Sequence, residues 1–212
     1  MRGKFITIEG TEGVGKTTNI EFIQSWLENK KREFICTREP GGTPLAEQIR
    51  ELLLAPREEL VSGTAELLLM FAGRAQHLHQ VIEPGLAKGA WILCDRFTDA
   101  TYAYQGAGRN LGTELIGQLE MLVQNGLRPD LTLILDIPVA IGLKRASERS
   151  EPDRFEQEQI AFFERVRQGY LSIAQADPDR CVVIDASAPL DAVQRQISVA
   201  LETFWVSSKE PS

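Results

Sequence analysis

The stretch "KFITIEGTEGVGKTTNIEFIQSWLENKK", residues 4–31, leaves a chain few ways to fold. A β-rich apolar run meets a glycine-rich loop. The segment that follows has apolar residues at 20, 23 and 27, with Phe22 and Trp26 alongside, which is helical spacing. Gly10, Gly15, Lys16 and Thr17 fit G-x-x-x-x-G-K-[ST], the pattern of a phosphate-cradling P-loop. Glycines let successive backbone N–H groups turn inward as an anion nest, and the helix presents its positive end to the same anion. Gly10, Thr11, Glu12, Gly13, Val14, Gly15, Lys16, Thr17 and Thr18 are therefore expected to bind the phosphates of a nucleoside triphosphate. Lys16 would reach the terminal phosphates, and the Thr17 hydroxyl would take a Mg²⁺ ligand position.

Four further apolar runs, "FICT", "AWILCD", "LTLILDI" and "CVVIDA", alternate with helical patterns. Strands alternating with helices predict an α/β domain: a parallel sheet with helices on both faces. The unbroken apolarity of "WILC" and "LTLIL" fits strands covered on both sides. At 212 residues the chain reads as a single domain over 1–212, with no internal repeat and no low-complexity linker. Only "VSSKEPS" at the C-terminus has the composition of a frayed end.

The net charge of −7 argues against broad binding to nucleic acid or anionic membrane, so a phosphate ligand requires a local cluster of cations. No apolar run reaches transmembrane length, and "MRGKFITIEG" enters a strand too soon for a signal peptide. The expected compartment is the cytoplasm, with no membrane partner. Cys36, Cys94 and Cys181 each sit in a β-like run without C-x-x-C spacing, and are expected to be buried free thiols rather than metal ligands.

On a parallel sheet, ligands bind beyond the carboxyl ends of the strands. There the sequence has "REPGGT" after "FICT" and "DRFTDATYAYQGAGR" after "WILC", and a helix between them carries "LLLMFAGRAQH". Arg38, Arg74 and Arg96 are thus expected to converge on one cleft, where the guanidinium fork suits phosphate and the polar edge of a base. Asp95 ends a strand opposite the P-loop, a place from which a carboxylate holds Mg²⁺ directly or through water. His77 and His79 are too close along a helix to face the same way and read as structural.

Taken together, "GTEGVGKTT", "TREPGGT", "DRFTDATYAYQGAGR" and "DRFEQE" resemble the bacterial thymidylate kinase family over nearly the whole chain. The resemblance implies transfer of the ATP γ-phosphate to dTMP, giving dTDP for dTTP biosynthesis, with Mg²⁺. It also implies the three-layer P-loop NTPase fold with a five-stranded parallel sheet, a mobile lid at about 145–156, and a homodimer. By the same resemblance Glu12 contacts the acceptor sugar, and Arg38 and Arg96 surround the acceptor phosphate. Arg74 faces the thymine edge, Thr101 bonds the base, Tyr104 packs beside the deoxyribose, and Gln105 orders that loop.

Three positions depart from the family pattern. The aromatic residue usually found four places before the helix arginine is Met70 here, with Phe71 next to it. Either a locally overwound or bulged helix lets Phe71 stack on thymine, or Met70 packs there through its thioether. The usual serine of the "DR" segment is Ala100, so its contact is either missing or replaced by Thr98 or Thr101. The P-loop has no arginine between Gly10 and Lys16, a feature of members that supply the catalytic arginine from the lid. Of Arg145, Arg149 and Arg154, Arg149 is the one assigned to the transition state. Arg145 is assigned to the adenine, and Arg154 to its acidic neighbours. Ser147 stands where many lids of this kind carry a further arginine.

Overall fold

In the computed structural model of the chain, residues 2–148, 153–156 and 158–208 are described. Five strands form one sheet: β1 (Phe5–Glu9), β2 (Phe34–Arg38), β3 (Trp91–Asp95), β4 (Leu131–Asp136) and β5 (Cys181–Asp185). Every pairing is parallel and the order is β2-β3-β1-β4-β5, the α/β arrangement predicted from the alternation of runs. β1 is central and buried along its whole length. Its side chains alternate between two cores, as the pleat requires.

Ile6 and Ile8 point toward α1 (Lys16–Asn29) and α9 (Leu190–Ser207). That core is closed at the far end by Trp26, Trp91 and Trp205, whose rings meet at centroid distances of 5.7–6.5 Å. Phe5 points the other way, toward Leu78, Ile82, Leu86 and Phe97. On that face lie α2 (Pro44–Leu54), α3 (Gly63–His77), α4 (Glu83–Ala87), α5 (Thr98–Thr101), α6 (Thr113–Gln124) and α8 (Ile160–Ala176). A further helix, α7 (Val139–Ser147), follows β4.

Local sequence explains the helix starts. Thr43 accepts a hydrogen bond from Ala46 N at 3.2 Å with Pro44 at the first helical position, and Ser62 accepts from Ala65 N at 3.2 Å. Two stretches are wound as π-helix, Leu78–Ile82 and Tyr102–Gly108. The second carries Tyr104 and Gln105 and turns them away from the phase that a regular helix would give.

The loop after β1 leads to α1 on one face, and the loop after β3 leads to α5 on the other. The crevice between β1 and β3 is the switch point where such sheets take ligands. Cys94 and Cys181 are buried, as expected, but Cys36 is exposed. β2 is an edge strand, so one of its faces lacks the cover that its apolar run implied.

The P-loop rests on α7 backbone against backbone. A Cβ on Gly13 (φ 72) would stand 1.9 Å from the Gly142 carbonyl oxygen, and one on Gly142 would stand 2.6 Å from the Glu12 carbonyl oxygen. Alanine in place of glycine inside a helix ordinarily gains about 1 kcal/mol. For Gly142→Ala the sign is expected to reverse, with a loss of about 1–3 kcal/mol as the loop and helix are forced apart. Urea unfolding checks this, and a raised midpoint would contradict the contact.

Candidate active site

The loop between β1 and α1 has positive φ at Gly10 (134), Gly13 (72) and Gly15 (87), and α1 begins at Lys16. Lys16 Nζ lies 3.1 Å from Gly10 O and 2.8 Å from Thr11 O, folded over the loop that it would share with a phosphate. Thr17 and Thr18 are exposed on the first turn of α1, and Val14 is buried in the core beneath. Burial, reinforced by the Arg96 charge, pulls the Lys16 ammonium down to about 8, while Asp95, Glu12 and Glu9 work in the opposite direction.

Beside the nest, Arg96 crosses the end of β1. Its Nη2 donates to Gly10 O at 3.2 Å and Glu12 Oε1 at 2.9 Å, and lies 2.9 Å from the Tyr104 hydroxyl. The Tyr104 hydroxyl is within 2.8 Å of both Glu12 carboxylate oxygens, and the Arg96 guanidinium lies 5.2 Å from the Tyr104 ring centre. Burial opposes the Arg96 charge, yet Tyr104, Glu12 and Asp95 hold its pKa well above the ordinary value. Its Nε is buried and has no hydrogen-bond partner among the described residues.

A cavity opens from this trio toward α2 and α3. Arg74, 3% exposed, forms its inner wall. Nε donates to Glu39 Oε2 at 2.7 Å and Nη2 to Thr101 Oγ1 at 3.0 Å, which fixes the plane of the guanidinium. The rings of Phe71 and Phe97 lie 4.8 and 5.0 Å from it. Nη1 is buried and has no partner among the described residues, on a side chain that lines the cavity. Gln105 and Thr101 also line the cavity, and Gln105 Nε2 donates to Glu66 Oε1 at 2.8 Å.

The two alternatives at positions 70 and 71 separate cleanly. α3 is regular α-helix through both, its π-wound continuation beginning only at Leu78. Met70 lines the cavity, whereas Phe71 is 2% exposed and packs with Leu67 and Ile116 beneath Arg74. No bulge brings Phe71 round, because one helical residue is about a 100° turn. Thr98 faces away and pairs with Gln124, so Thr101 is the threonine beside Ala100 at the cavity.

Arg38 is not brought into the cavity wall. It lies exposed with Nη2 2.8 Å from Glu47 Oε2. Arg145 is exposed on α7 and donates to Ala186 O at 3.4 Å. Arg149 lies outside the described residues. Arg154 is tied down by acidic and carbonyl partners, with Nη2 2.6 Å from Glu66 Oε2 and Nε 2.7 Å from Leu53 O. Asp95 Oδ1 is buried with no partner among the described residues. His77 lies between Glu39 Oε1 (2.9 Å from Nδ1) and Thr37 Oγ1 (2.7 Å from Nε2), a structural place, and His79 is exposed.

Sequence reasoning missed Arg50, Glu39 and Phe155, all of which line the cavity. Arg50 looks like one more surface cation in "PLAEQIRELLL", although its position on the apolar stripe's edge beside Ile49 and Leu53 was a signal. Burial and then the charges of Arg38 and Arg96 lower its pKa, while Glu47 and Asp95 work in the opposite direction.

The family model described as Thymidylate kinase matches residues 8–197. The thymidylate kinase of Teredinibacter turnerae is 60% identical over 204 residues, covering 96% of this chain and 100% of that protein. That of Pseudomonas putida (strain GB-1) is 59% identical over 201 residues, covering 95% of this chain and 96% of its own. Among solved structures, the crystal structure of thymidylate kinase from Ehrlichia chaffeensis superposes with a TM-score of 0.76 at 34% identity, covering 95% of this chain and 99% of that one.

The low pKa of Lys16 has a measurable consequence. A phosphate placed in the nest favours the charged ammonium and raises the pKa, so binding takes up a proton wherever the free lysine is already part-deprotonated. At pH 8.5, ATP binding followed by calorimetry in two buffers of different ionisation enthalpy is expected to take up about half a proton or more, falling toward zero by pH 6.5. No uptake at pH 8.5 would contradict the shift.

Proposed function

The chain belongs to the thymidylate kinase family and phosphorylates dTMP for dTTP synthesis with ATP as donor, and from that premise we propose how its residues divide the work. The P-loop from Gly10 to Thr18 takes the ATP phosphates, with Lys16 on the β and γ oxygens and Arg145 beside the adenine. The cavity walled by Arg74 takes dTMP. One observation carries this reading: Arg74, whose buried Nη1 has no partner among the described residues, lines the same cavity as Glu12, Arg96 and Tyr104. The thymine edge meets Arg74 and Thr101, with Gln105 alongside and Met70 against its face. The deoxyribose lies by Tyr104, and Glu12 accepts from the 3′-hydroxyl. The dTMP phosphate lies between Arg96 and Arg50, with Arg38 released from Glu47 to join them.

Asp95 and Thr17 are the residues we assign to Mg²⁺. The unpartnered buried Asp95 Oδ1 fits a cation, and a site with one or two protein oxygens suits an ion held mainly by substrate phosphates and water. This agrees with the absence, among the described residues, of any group of three or more His, Cys, Asp or Glu arranged for a metal. When bound, Mg²⁺ supplies charge neutralisation at the ATP phosphates.

The acceptor phosphate oxygen is already ionised at neutral pH, so the reaction needs in-line positioning and cations rather than a strong general base. Lys16 and Arg96 provide two of those cations. We assign the third to Arg149 of the 145–156 lid, because the P-loop has Glu12 where another cation could stand. Lid closure keeps water from the γ-phosphate.

Two further assignments belong to this reading. The first is a homodimer built on α6 and α3. Met121 and Leu122 of α6 and Leu68 of α3 are 77, 78 and 52% exposed, apolar side chains that a second copy would cover, and light scattering at twice 23.6 kDa checks it. The second is cytoplasmic residence, for which cell fractionation is the test. Among the described residues no helix is long and apolar enough to cross a membrane.

The experiment that tests the function is a coupled nucleoside-diphosphate assay over dTMP, dUMP, UMP, CMP, AMP and GMP. dTMP is expected to be the best substrate and dUMP a weaker one, since a missing methyl is worth about 1–3 kcal/mol. Purines as good as dTMP would overturn the assignment. Within the site, Met70→Ala is expected to weaken dTMP binding by about 1–2 kcal/mol with the melting temperature nearly unchanged. Phe71→Ala should cost about 3–5 kcal/mol of stability instead. Calorimetry and thermal melts separate the two, and the reverse pattern would return the base to Phe71.

A further inference from the structure

The turn after β3 is unusual backbone. Arg96 sits at φ 66, in the left-handed region that is costly for a residue bearing a side chain. Such a conformation persists only where its surroundings hold it. Arg96 N donates to Ile8 O at 3.0 Å, which ties the turn to β1. Phe97 is 1% exposed, and its N–H donates to Glu9 Oε1 at 2.7 Å. The other carboxyl oxygen, Oε2, accepts from the Tyr170 hydroxyl of α8 at 2.9 Å. Glu9 is wholly buried and is not among the residues that line the cleft.

We infer that Glu9 is a positioning residue for phosphoryl transfer: braced from behind by Tyr170, its carboxyl group holds the Phe97 N–H and so keeps Arg96 aimed across Gly10 at Glu12. The inference rests on the reading of Arg96 as a cation on the phosphates. Without the Glu9 acceptor the Phe97 N–H is a buried donor with no partner, and the turn relieves that loss by shifting. Arg96 then loses its simultaneous fit to Gly10 O, Glu12 and Tyr104. The role asks for an acceptor, not for a negative charge. Burial and then Asp99 push the Glu9 carboxyl up to about 8, and a protonated carboxyl retains a carbonyl oxygen for Phe97.

The test is a double-mutant cycle on Glu9→Ala and Arg96→Ala, with Glu9→Gln as the conservative variant and thermal melts to confirm folding. Arg96→Ala is expected to lower kcat by about a hundredfold or more and Glu9→Ala by about thirtyfold, with KM for ATP within about threefold of the parent. The double variant should fall no more than about threefold below Arg96→Ala, because both changes remove the same aimed guanidinium. Glu9→Gln, which keeps a carbonyl oxygen, should stay within about fivefold of parental kcat. If Glu9→Ala does not fold, Glu9→Asp goes through the same cycle, since it sets the carboxylate one methylene short of Phe97. A fully multiplicative loss in the double variant, or Glu9→Gln as poor as Glu9→Ala, overturns the inference while leaving Arg96 in place. A near-parental Arg96→Ala overturns the reading of Arg96 and the inference with it.

Discussion

β1 is covered on both faces and paired along both edges, so the chain leaves the sheet at Glu9 with a carboxyl group inside and a phosphate nest just outside. A carboxyl group at that depth is tolerable only with partners, and the partners it finds belong to the β3–α5 turn and to α8. The end of one strand therefore fixes the relative positions of the donor loop, the turn that carries Arg96, and a helix of the opposite layer. Parallel pairing in register, with Ile8 opposite Asp95, brings the two loops to the same height above the sheet.

The cleft shows how an acidic chain can present a cationic surface. Its net charge is −7, yet Arg50, Arg74 and Arg96 stand on one cavity. Each is steered by a carboxylate or carbonyl that occupies part of its fork. Glu39 and Thr101 take two nitrogens of Arg74, Glu12 and Gly10 take Nη2 of Arg96, and the Pro40 carbonyl takes Nη1 of Arg50 at 2.9 Å. A guanidinium oriented in this way loses little further freedom when it meets a planar base or a phosphate. The carboxylates are thus part of anion recognition, because they decide which N–H groups remain on offer.

Much of this was legible in the sequence because the signals were local. The P-loop spacing and the apolar runs pointed to the strands and the switch point, and of the three arginines expected at one cleft Arg74 and Arg96 line the cavity while Arg38 does not. What stayed hidden depends on order and phase. Nothing in "FICT" says that its strand lies at the edge, so Cys36 read as buried. At Met70 and Phe71 a single residue's rotation separates the cavity from the core, finer than a family pattern resolves when its aromatic residue has moved by one. Arg50 carried the commonest disguise, a cation on an amphipathic helix, and its membership of the cleft follows only from how α2 folds back over "REPGG". Arg149 remains known by its sequence alone.

The contact between Gly13 and Gly142 has a consequence for how this protein can vary over time. Most packed pairs drift by exchange, a larger residue on one side being matched by a smaller one on the other. Here both partners are already the smallest residue, and each would press a Cβ into the other strip of backbone. No second substitution at either position can rescue the first. The two sites are therefore locked in mutual inheritance, and diversity in this corner of the enzyme must arise from residues that leave the spacing of the P-loop and α7 untouched.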